Sequence, residues 1–126
     1  MIYMEVTIMA KMLFINSNGF EKAGRATRVF QFAKVAREKG HDVYVFLIDD
    51  GIIWAQLGMA EGARASTGEE MRPFIDYLLQ HDSHIYACGA WVDQRYLSPD
   101  EMVPGVEIKG PSYLIDLMAE YETLSL

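Results

Sequence analysis

Short, unbroken runs of apolar, β-forming residues are the strongest constraint on how this chain folds. Met12–Ile15, Val43–Ile48 and Ile85–Cys88 are such runs, and each is followed by polar residues or glycine. Continuous rather than alternating apolar runs are typical of strands that are covered on both faces. We therefore predict that these runs form the central strands of a buried, mostly parallel sheet.

Segments with helical periodicity separate the apolar runs. In segment 21–39 apolar residues recur every three or four positions, and Gly40 supplies a natural helix end. Weaker patterns predict further helices at 69–80, 89–96 and 112–122, and strands at 106–108 and 123–126. This alternation predicts right-handed crossovers and a three-layer α/β/α sandwich, whose mostly parallel sheet has four to five strands.

The length of 126 residues suits one domain with one core. We therefore predict a single domain over residues 1–126, with the Gly/Ala-rich segment Gly58–Gly68 as a mobile loop rather than a linker. Residues 1–11 leave three alternatives open: an extension of the first strand, an extra edge strand, or an N-terminal extension.

Charge and cysteine content exclude several classes of function. Eleven Lys and Arg against eighteen Asp and Glu give a net charge of −7, which opposes binding to a nucleic-acid backbone. A single cysteine cannot form an intrachain disulfide, which favours a reducing, cytoplasmic compartment. We find no signal-peptide pattern and no apolar run long enough to cross a bilayer, so no membrane association is expected.

Three of the predicted strands end in polar or reactive residues. These are Asn16, Ser17 and Asn18 after the first strand, Asp49 and Asp50 after the second, and Cys88 with Gly89 at the third. Ligands of open α/β sheets bind beyond the carboxyl ends of the strands. We therefore expect the functional site at this edge of the sheet, with Cys88 as its reactive side chain.

Cys88 allows two interpretations. A cysteine at the start of a helix lies near the free N–H groups of the first turn, which favour the nucleophilic thiolate. Arg95 follows two helical turns later and would add positive charge, whereas Asp49 and Asp50 would act in the opposite sense. The alternative is a buried, inert thiol that completes a core strand.

Metal and nucleotide sites find little support. His84 and Cys88 begin and end the third strand, which separates them by about 13 Å and argues against a shared metal ion. The loop from Asn16 to Gly19 matches neither of the glycine-rich phosphate-binding patterns. Phe32 and Val35 lie off the core-facing stripe of the first helix and Trp54 lies near a loop, so we expect surplus apolar surface for subunit contacts.

Five segments of the chain carry a resemblance to a known family, in the right order and spacing: Leu13–Gly19, Ala36–Val43, Val45–Ile52, Ile85–Ala90 and Val103–Gly110. With these segments the chain resembles the DsrE/DsrF-like proteins of sulfur oxidation and tRNA sulfur relay, which include the TusD and YchN-like groups. The resemblance extends from Met12 to Leu126.

The resemblance implies a sulfur carrier in which a single cysteine after the third strand holds a persulfide. Cys88 stands at that position, and Arg95 stands where active members often have a basic residue. It further implies a homo-oligomer (a trimer or hexamer), partner proteins that donate and accept sulfur, and neither a metal nor an organic cofactor. The segment Asp93–Tyr96 departs from the usual pattern of the family.

A second hypothesis is a non-catalytic, oligomeric domain of the same fold that binds a small ligand. In that case the thiol of Cys88 is structural. Its pocket would be formed by Asn16, Ser17, Asp50 and Trp54. The reactivity of Cys88 separates the two hypotheses.

Overall fold

A computed structural model describes residues 9–126 of the chain. The strands are β1 (Lys11–Asn16), β2 (Asp42–Leu47), β3 (His84–Cys88), β4 (Glu107–Lys109) and β5 (Glu122–Ser125). The α-helices are α1 (Ala23–Glu38), α2 (Met71–Gln80), α3 (Gly89–Gln94) and α4 (Pro111–Glu120).

All five strands pair in parallel, in the order β4-β3-β2-β1-β5. The predicted α/β sandwich with a mostly parallel sheet is therefore confirmed. The chain builds outward from β1 through β2 and β3 to β4, and then α4 carries it back across the sheet to β5 beside β1. Because parallel neighbours need such crossovers, the helices cover the faces of the sheet.

Alternation along the strands assigns the two faces. Met12 and Phe14 of β1 point toward α1 and line a cavity with it. Leu13, which lies between them, points to the opposite face of the sheet, as does its register partner Tyr44 on β2. Tyr44 packs against Tyr121 at the end of α4, with ring centroids 4.7 Å apart. Helix α1 and the C-terminal part of α4 therefore lie on opposite faces of the sheet.

The predicted element boundaries are close to the observed ones, with differences that have local causes. Helix α1 begins at Ala23 because residues Phe20–Lys22 form a single 3₁₀ turn. Gly40, at φ +92°, ends α1 in the left-handed conformation that favours glycine. Residues 1–8 lie outside the described part of the chain, so the three alternatives for residues 1–11 stay predictions.

The segment predicted as a mobile loop, Gly58–Gly68, packs against the body of the molecule. Its Ala60 and Ala65 are buried, and Arg64 forms an ion pair with Glu70 at 2.7 Å. Its predicted mobility stays a prediction. Within residues 9–126, none of the helices is both long enough and apolar enough to traverse a lipid bilayer.

The loop after β2 approaches the end of β1 so closely that one position accepts only glycine. A Cβ atom on Gly51 would lie 2.1 Å from the carbonyl oxygen of Asn16. The same carbonyl accepts a hydrogen bond from the backbone N–H of Ile48 at 3.1 Å. The junction between β1 and the loop after β2 therefore requires a glycine at position 51.

We expect Gly51→Ala to lower the free energy of unfolding by about 3 kcal/mol, because two backbone segments must separate to admit the methyl group. Gly24→Ala is the matched control, since a Cβ there meets only ordinary contacts at 3.7 Å or more within helix α1. It should raise stability by roughly 0.5–1 kcal/mol. Urea unfolding measures both, and a Gly51→Ala variant as stable as the parent would contradict this account of the junction.

Candidate active site at the carboxyl edge of the sheet

The loops after β1 and β2 meet at the carboxyl edge of the sheet, which we define as the residues that follow β1, β2 and β3. A Cβ on Gly19 would lie 2.9 Å from the carbonyl oxygen of Asp50, so these loops are in direct backbone contact. This edge holds the polar residues singled out in the sequence, as expected for an open parallel sheet.

Cys88 is the last residue of β3 and directly precedes the first turn of α3. Its side chain is largely covered, with 7% of the residue exposed. Gly89 lets α3 start tightly against β4, since a Cβ there would lie 3.3 Å from Cγ2 of Ile108. The thiol therefore sits at a strand-to-helix junction, as predicted, but it is nearly closed off within this single chain.

Lys109 is a cationic residue that pairs with Cys88 in the sheet register. The two residues are direct partners across the parallel pair β3–β4, so their side chains project from the same face. The ammonium of Lys109 lies 5.0 Å from the ring centroid of Tyr113. Sequence reasoning missed this residue, because the pairing of two residues 21 positions apart has no local signal.

Two contacts fix the position of the Arg95 side chain. Its guanidinium donates to the Asp50 carboxylate at 3.2 Å and lies 5.6 Å from the ring centroid of Trp91. Arg95 and Asp50 line a cavity of about 140 Å³ whose other walls are Gly19, Phe20, Glu21 and Ile53. The structure thus joins the predicted residues Arg95 and Asp50 to each other through an ion pair.

The asparagines after β1 are built into the framework of the edge. Asn16 is fully buried, and its amide donates to the carbonyl oxygen of Ala26 at 3.3 Å while its Oδ1 accepts from the N–H of Asn18. Ser17 donates to the carbonyl oxygen of Leu126 at 3.3 Å. Among the described residues, the buried Nδ2 of Asn18 has no hydrogen-bond acceptor.

Trp54 is buried, and the expectation that it adds apolar surface near a loop is wrong. Only 1% of the residue is exposed. Its indole N–H donates to the carbonyl oxygen of Asn18 at 2.7 Å, and the ring of Phe20 packs edge-on against it at 5.2 Å. Trp54 therefore fastens the loop after β1 to the loop after β2 and does not line the cavity beside Arg95.

Metal ligation finds no support at this edge. His84 and Cys88 occupy opposite ends of β3, as the strand prediction requires. Within residues 9–126, no cluster of three or more His, Cys, Asp or Glu side chains has a geometry that could hold a metal ion.

A cluster of tyrosines lies on the same face of the sheet as Cys88. The hydroxyl oxygens of Tyr86 and Tyr113 lie 3.2 Å apart, and Tyr121 donates to the carboxylate of Asp42 at 2.9 Å. Burial, reinforced by the contact with Tyr113, raises the pKa of Tyr86 above the ordinary value. Burial also raises the pKa of Tyr121, and the hydrogen bond to Asp42 acts in the same direction.

The fold and the site define the class of this protein: it is a parallel α/β sandwich whose single cysteine lies at the carboxyl end of the third strand. The model of the DsrE/DsrF-like family matches residues 10–125, and the chain belongs to that family. The match leaves the first nine residues outside the family domain.

Known proteins share the fold and part of the sequence. The uncharacterized protein MK0008 of Methanopyrus kandleri is 25% identical over 103 residues, which is 79% of each chain. The crystal structure of the YchN protein from E. coli superposes with a TM-score of 0.81 at 19% identity, covering 94% of this chain and all of that one. A Methanobacterium thermoautotrophicum protein of unknown function, MTH1491, gives a TM-score of 0.67 at 10% identity, again over 94% of this chain and all of that one. These two structures establish the likeness of fold.

The raised pKa values of the two buried tyrosines predict alkaline sensitivity. Their protonated forms are favoured in the folded state, so this contribution to stability is complete below about pH 10, the unfolded value, and is lost as the pH rises above it. Tyr86 and Tyr121 should form tyrosinate only as the chain unfolds. Tyrosinate absorbance and circular dichroism measured along one pH titration check this.

Tyr86→Phe is the control for the assignment, since it should remove one tyrosinate equivalent from the step that accompanies unfolding. Complete ionisation of all seven tyrosines while the circular dichroism stays native would contradict the burial of these phenols.

Proposed function

We propose that this protein is a sulfur carrier that accepts sulfane sulfur on Cys88, holds it as a persulfide and passes it to another thiol. The observation that carries the proposal is the place of Cys88, the only cysteine of the chain, in a member of the DsrE/DsrF-like family. It ends the third strand, at the edge where open parallel sheets bind their ligands. Neither a metal nor an organic cofactor is needed for this chemistry.

Each transfer is a thiol exchange. The thiolate of Cys88 attacks the outer sulfur of a donor persulfide, a new S–S bond forms, and the donor's own S–S bond breaks to release the donor thiolate. In the second step an acceptor thiolate attacks the outer sulfur on Cys88 and releases the Cys88 thiolate. The sulfur moves at a constant oxidation level, so no external oxidant or reductant takes part.

Lys109 supplies positive charge where the anionic sulfur is held. It is the direct register partner of Cys88, and both side chains project from one face of the sheet. The persulfide anion gains from a nearby ammonium and from the free N–H groups of the first turn of α3. We infer that Lys109 acts as a positioning residue for the anion on Cys88.

Arg95 contributes through its ion pair with Asp50 in this proposal. The pair is partly exposed, so an incoming anionic sulfur donor competes for the guanidinium at modest cost. In this proposal Gly89 and the loop residues Asn16, Ser17 and Asn18 form the edge of the sheet at which the thiol reacts. We keep the cytoplasm as the proposed compartment and separate donor and acceptor proteins as the proposed partners.

The small-ligand alternative receives less support from the dimensions of the edge. The cavity lined by Asp50 and Arg95 has about 140 Å³, whereas ligand pockets usually have about 300–1,000 Å³. The three other residues of that hypothesis, Asn16, Ser17 and Trp54, are hydrogen-bonded to backbone groups, and Asn16 and Trp54 are also buried. A single sulfur atom needs far less room than an organic ligand.

Reduced protein incubated with polysulfide should gain about 32 Da per chain, the mass of one sulfur atom, by intact-mass measurement. Cys88→Ser should gain nothing while its circular dichroism stays native. Added dithiothreitol should remove the sulfur from the parent. Equal loading of the parent and Cys88→Ser would eliminate the thiol as the carrier.

Lys109→Met should slow the loading of Cys88 about tenfold, because an anionic sulfur loses its neighbouring charge. Lys34→Met is the matched control, since the ammonium of Lys34 also lies 5.0 Å from a tyrosine ring, that of Tyr77. It should load at the parent rate. Equal slowing in both variants would show a general effect of net charge instead of a role for Lys109.

A further inference from the structure

Tyr96, just beyond the end of α3, combines a strained backbone with an almost fully exposed side chain. Its φ is +54°, in the left-handed region that favours glycine and is unfavourable for a residue with a Cβ atom. The residue is nevertheless 92% exposed, so its ring packs on little of the described chain. Within residues 9–126 the fold therefore gains almost no stability from a tyrosine at this position.

The end of α3 fixes the backbone of Tyr96. The N–H of Tyr96 donates to the carbonyl oxygen of Asp93 at 3.1 Å, and the N–H of Leu97 donates to that of Val92 at 3.2 Å. These two bonds form the Schellman motif of a helix end, whose left-handed position is usually occupied by glycine. Leu97 then packs against the core. The ring of Tyr96 is thus presented to solvent from a fixed backbone.

The neighbours of Tyr96 are residues of the types that dominate protein contacts. Arg95 precedes it and lies over Trp91, with 5.6 Å between the guanidinium carbon and the ring centroid. Phe20, which is 61% exposed, lines a cavity together with Arg95. Tyr, Trp and Arg contribute most of the binding energy at many protein interfaces. We call Phe20, Trp91, Asp93, Arg95 and Tyr96 the Tyr96 patch.

Exposed carboxylates give this region its charge. Asp93 in the patch, and Asp49 in the loop after β2, are exposed and form no ion pair among residues 9–126. The guanidinium of Arg95 is already paired with Asp50. The patch and its surroundings therefore carry an excess of negative charge, which attracts a basic protein surface and repels an acidic one.

Helix α3 connects the Tyr96 patch to the thiol. It begins at Gly89, directly after Cys88, and ends at Gln94. At about 1.5 Å per residue, Arg95 lies about 10 Å along the helix from Cys88. A protein of ordinary size that contacts the patch therefore also reaches the carboxyl edge.

We propose that Tyr96 anchors a partner protein with a basic contact surface, which docks on the Tyr96 patch and exchanges sulfur with Cys88. This docking rests on the proposed sulfur-carrier function and names the kind of protein that serves it. In the exchange, the Cys88 thiolate attacks the outer sulfur of the partner's persulfide, and the partner's thiolate leaves. Docking raises the local concentration of that persulfide beside a cysteine that is only 7% exposed.

Short synthetic peptides that carry one persulfidated cysteine test the proposal. One peptide surrounds the cysteine with lysine and leucine, and its counterpart has glutamate in place of each lysine. Intact mass measured over time gives the rate at which each peptide loads Cys88. The basic peptide should load the parent protein about tenfold faster than the acidic peptide, because it is attracted to the carboxylates of the patch. Added salt should reduce this difference.

Tyr96→Gly should slow loading by the basic peptide about fivefold, because the anchor is lost. Loading by inorganic polysulfide should not change, since a small donor needs no anchor. Glycine removes the backbone strain, so the thermal unfolding temperature should not fall, whereas loss of a structural residue would lower it. Tyr96→Phe should load like the parent. Phe32→Ala is the control, since it removes another exposed ring, on α1, and it should also load like the parent.

Asp93→Asn should lower the ratio of basic to acidic peptide loading about threefold, because it removes one unpaired carboxylate of the patch. Asp116→Asn is the matched control, since Asp116 is an exposed carboxylate on α4, outside the patch, and it should leave the ratio unchanged.

Equal loading by the two peptides, or equal loading of the parent and Tyr96→Gly by the basic peptide, would overturn the proposal and leave the carrier function in place. A smaller assembly of Tyr96→Gly than of the parent in native mass spectrometry would also overturn it, since the patch would then be a contact between copies of this chain. No loading by polysulfide or by either peptide would refute the carrier function itself, and the docking proposal with it.

Discussion

Parallel hydrogen bonding between β3 and β4 is the constraint on which the candidate site depends. It places Lys109 directly beside Cys88 and makes both strands deliver their last residues to the same edge of the sheet. Strand β4 has only three residues, and two groups outside the sheet also contact it: Gly89 at the start of α3 lies against Ile108, and the ring of Tyr113 in α4 lies against the ammonium of Lys109. A shift of one residue in this register would turn Lys109 to the opposite face.

The carboxyl edge consists of a buried, hydrogen-bonded framework and, around it, side chains with reactive or charged groups. Trp54 and Gly51 join the loops after β1 and β2 through a buried hydrogen bond and a close backbone approach. Asn16 satisfies backbone groups from the interior. Around that frame stand the thiol of Cys88, the ammonium of Lys109 and the ion pair between Arg95 and Asp50, and we propose that these groups handle an anionic sulfur.

The fold was predictable because its signals are local. Unbroken apolar runs indicated strands covered on both faces, and helical periodicity with a glycine end indicated α1, whose Gly40 indeed adopts a positive φ. Cys88 was located for the same reason, since the end of an apolar run can be read directly from the chain.

What could not be predicted depends on partners distant in sequence. Lys109 gains its significance from a register partner 21 positions earlier, and Trp54 is buried because a carbonyl 36 positions earlier accepts its N–H. The residues next to Lys109 and Trp54 do not indicate either partner: the segment before Trp54 begins with Asp49 and Asp50 and ends with Ile52 and Ile53, which leaves its burial open. The position of β5 beside β1, on the far side of the sheet from β4, is likewise a long-range outcome of packing.

The most direct test of the central claim is a crystal structure of the protein after treatment with polysulfide. The account predicts a second sulfur atom bonded to Sγ of Cys88, with the ammonium of Lys109 within about 3.5 Å of it, the range of a charge-assisted contact. An unmodified thiol at full occupancy in crystals of protein whose mass shows one added sulfur would contradict it. So would a persulfide whose outer sulfur points away from Lys109 into the apolar core.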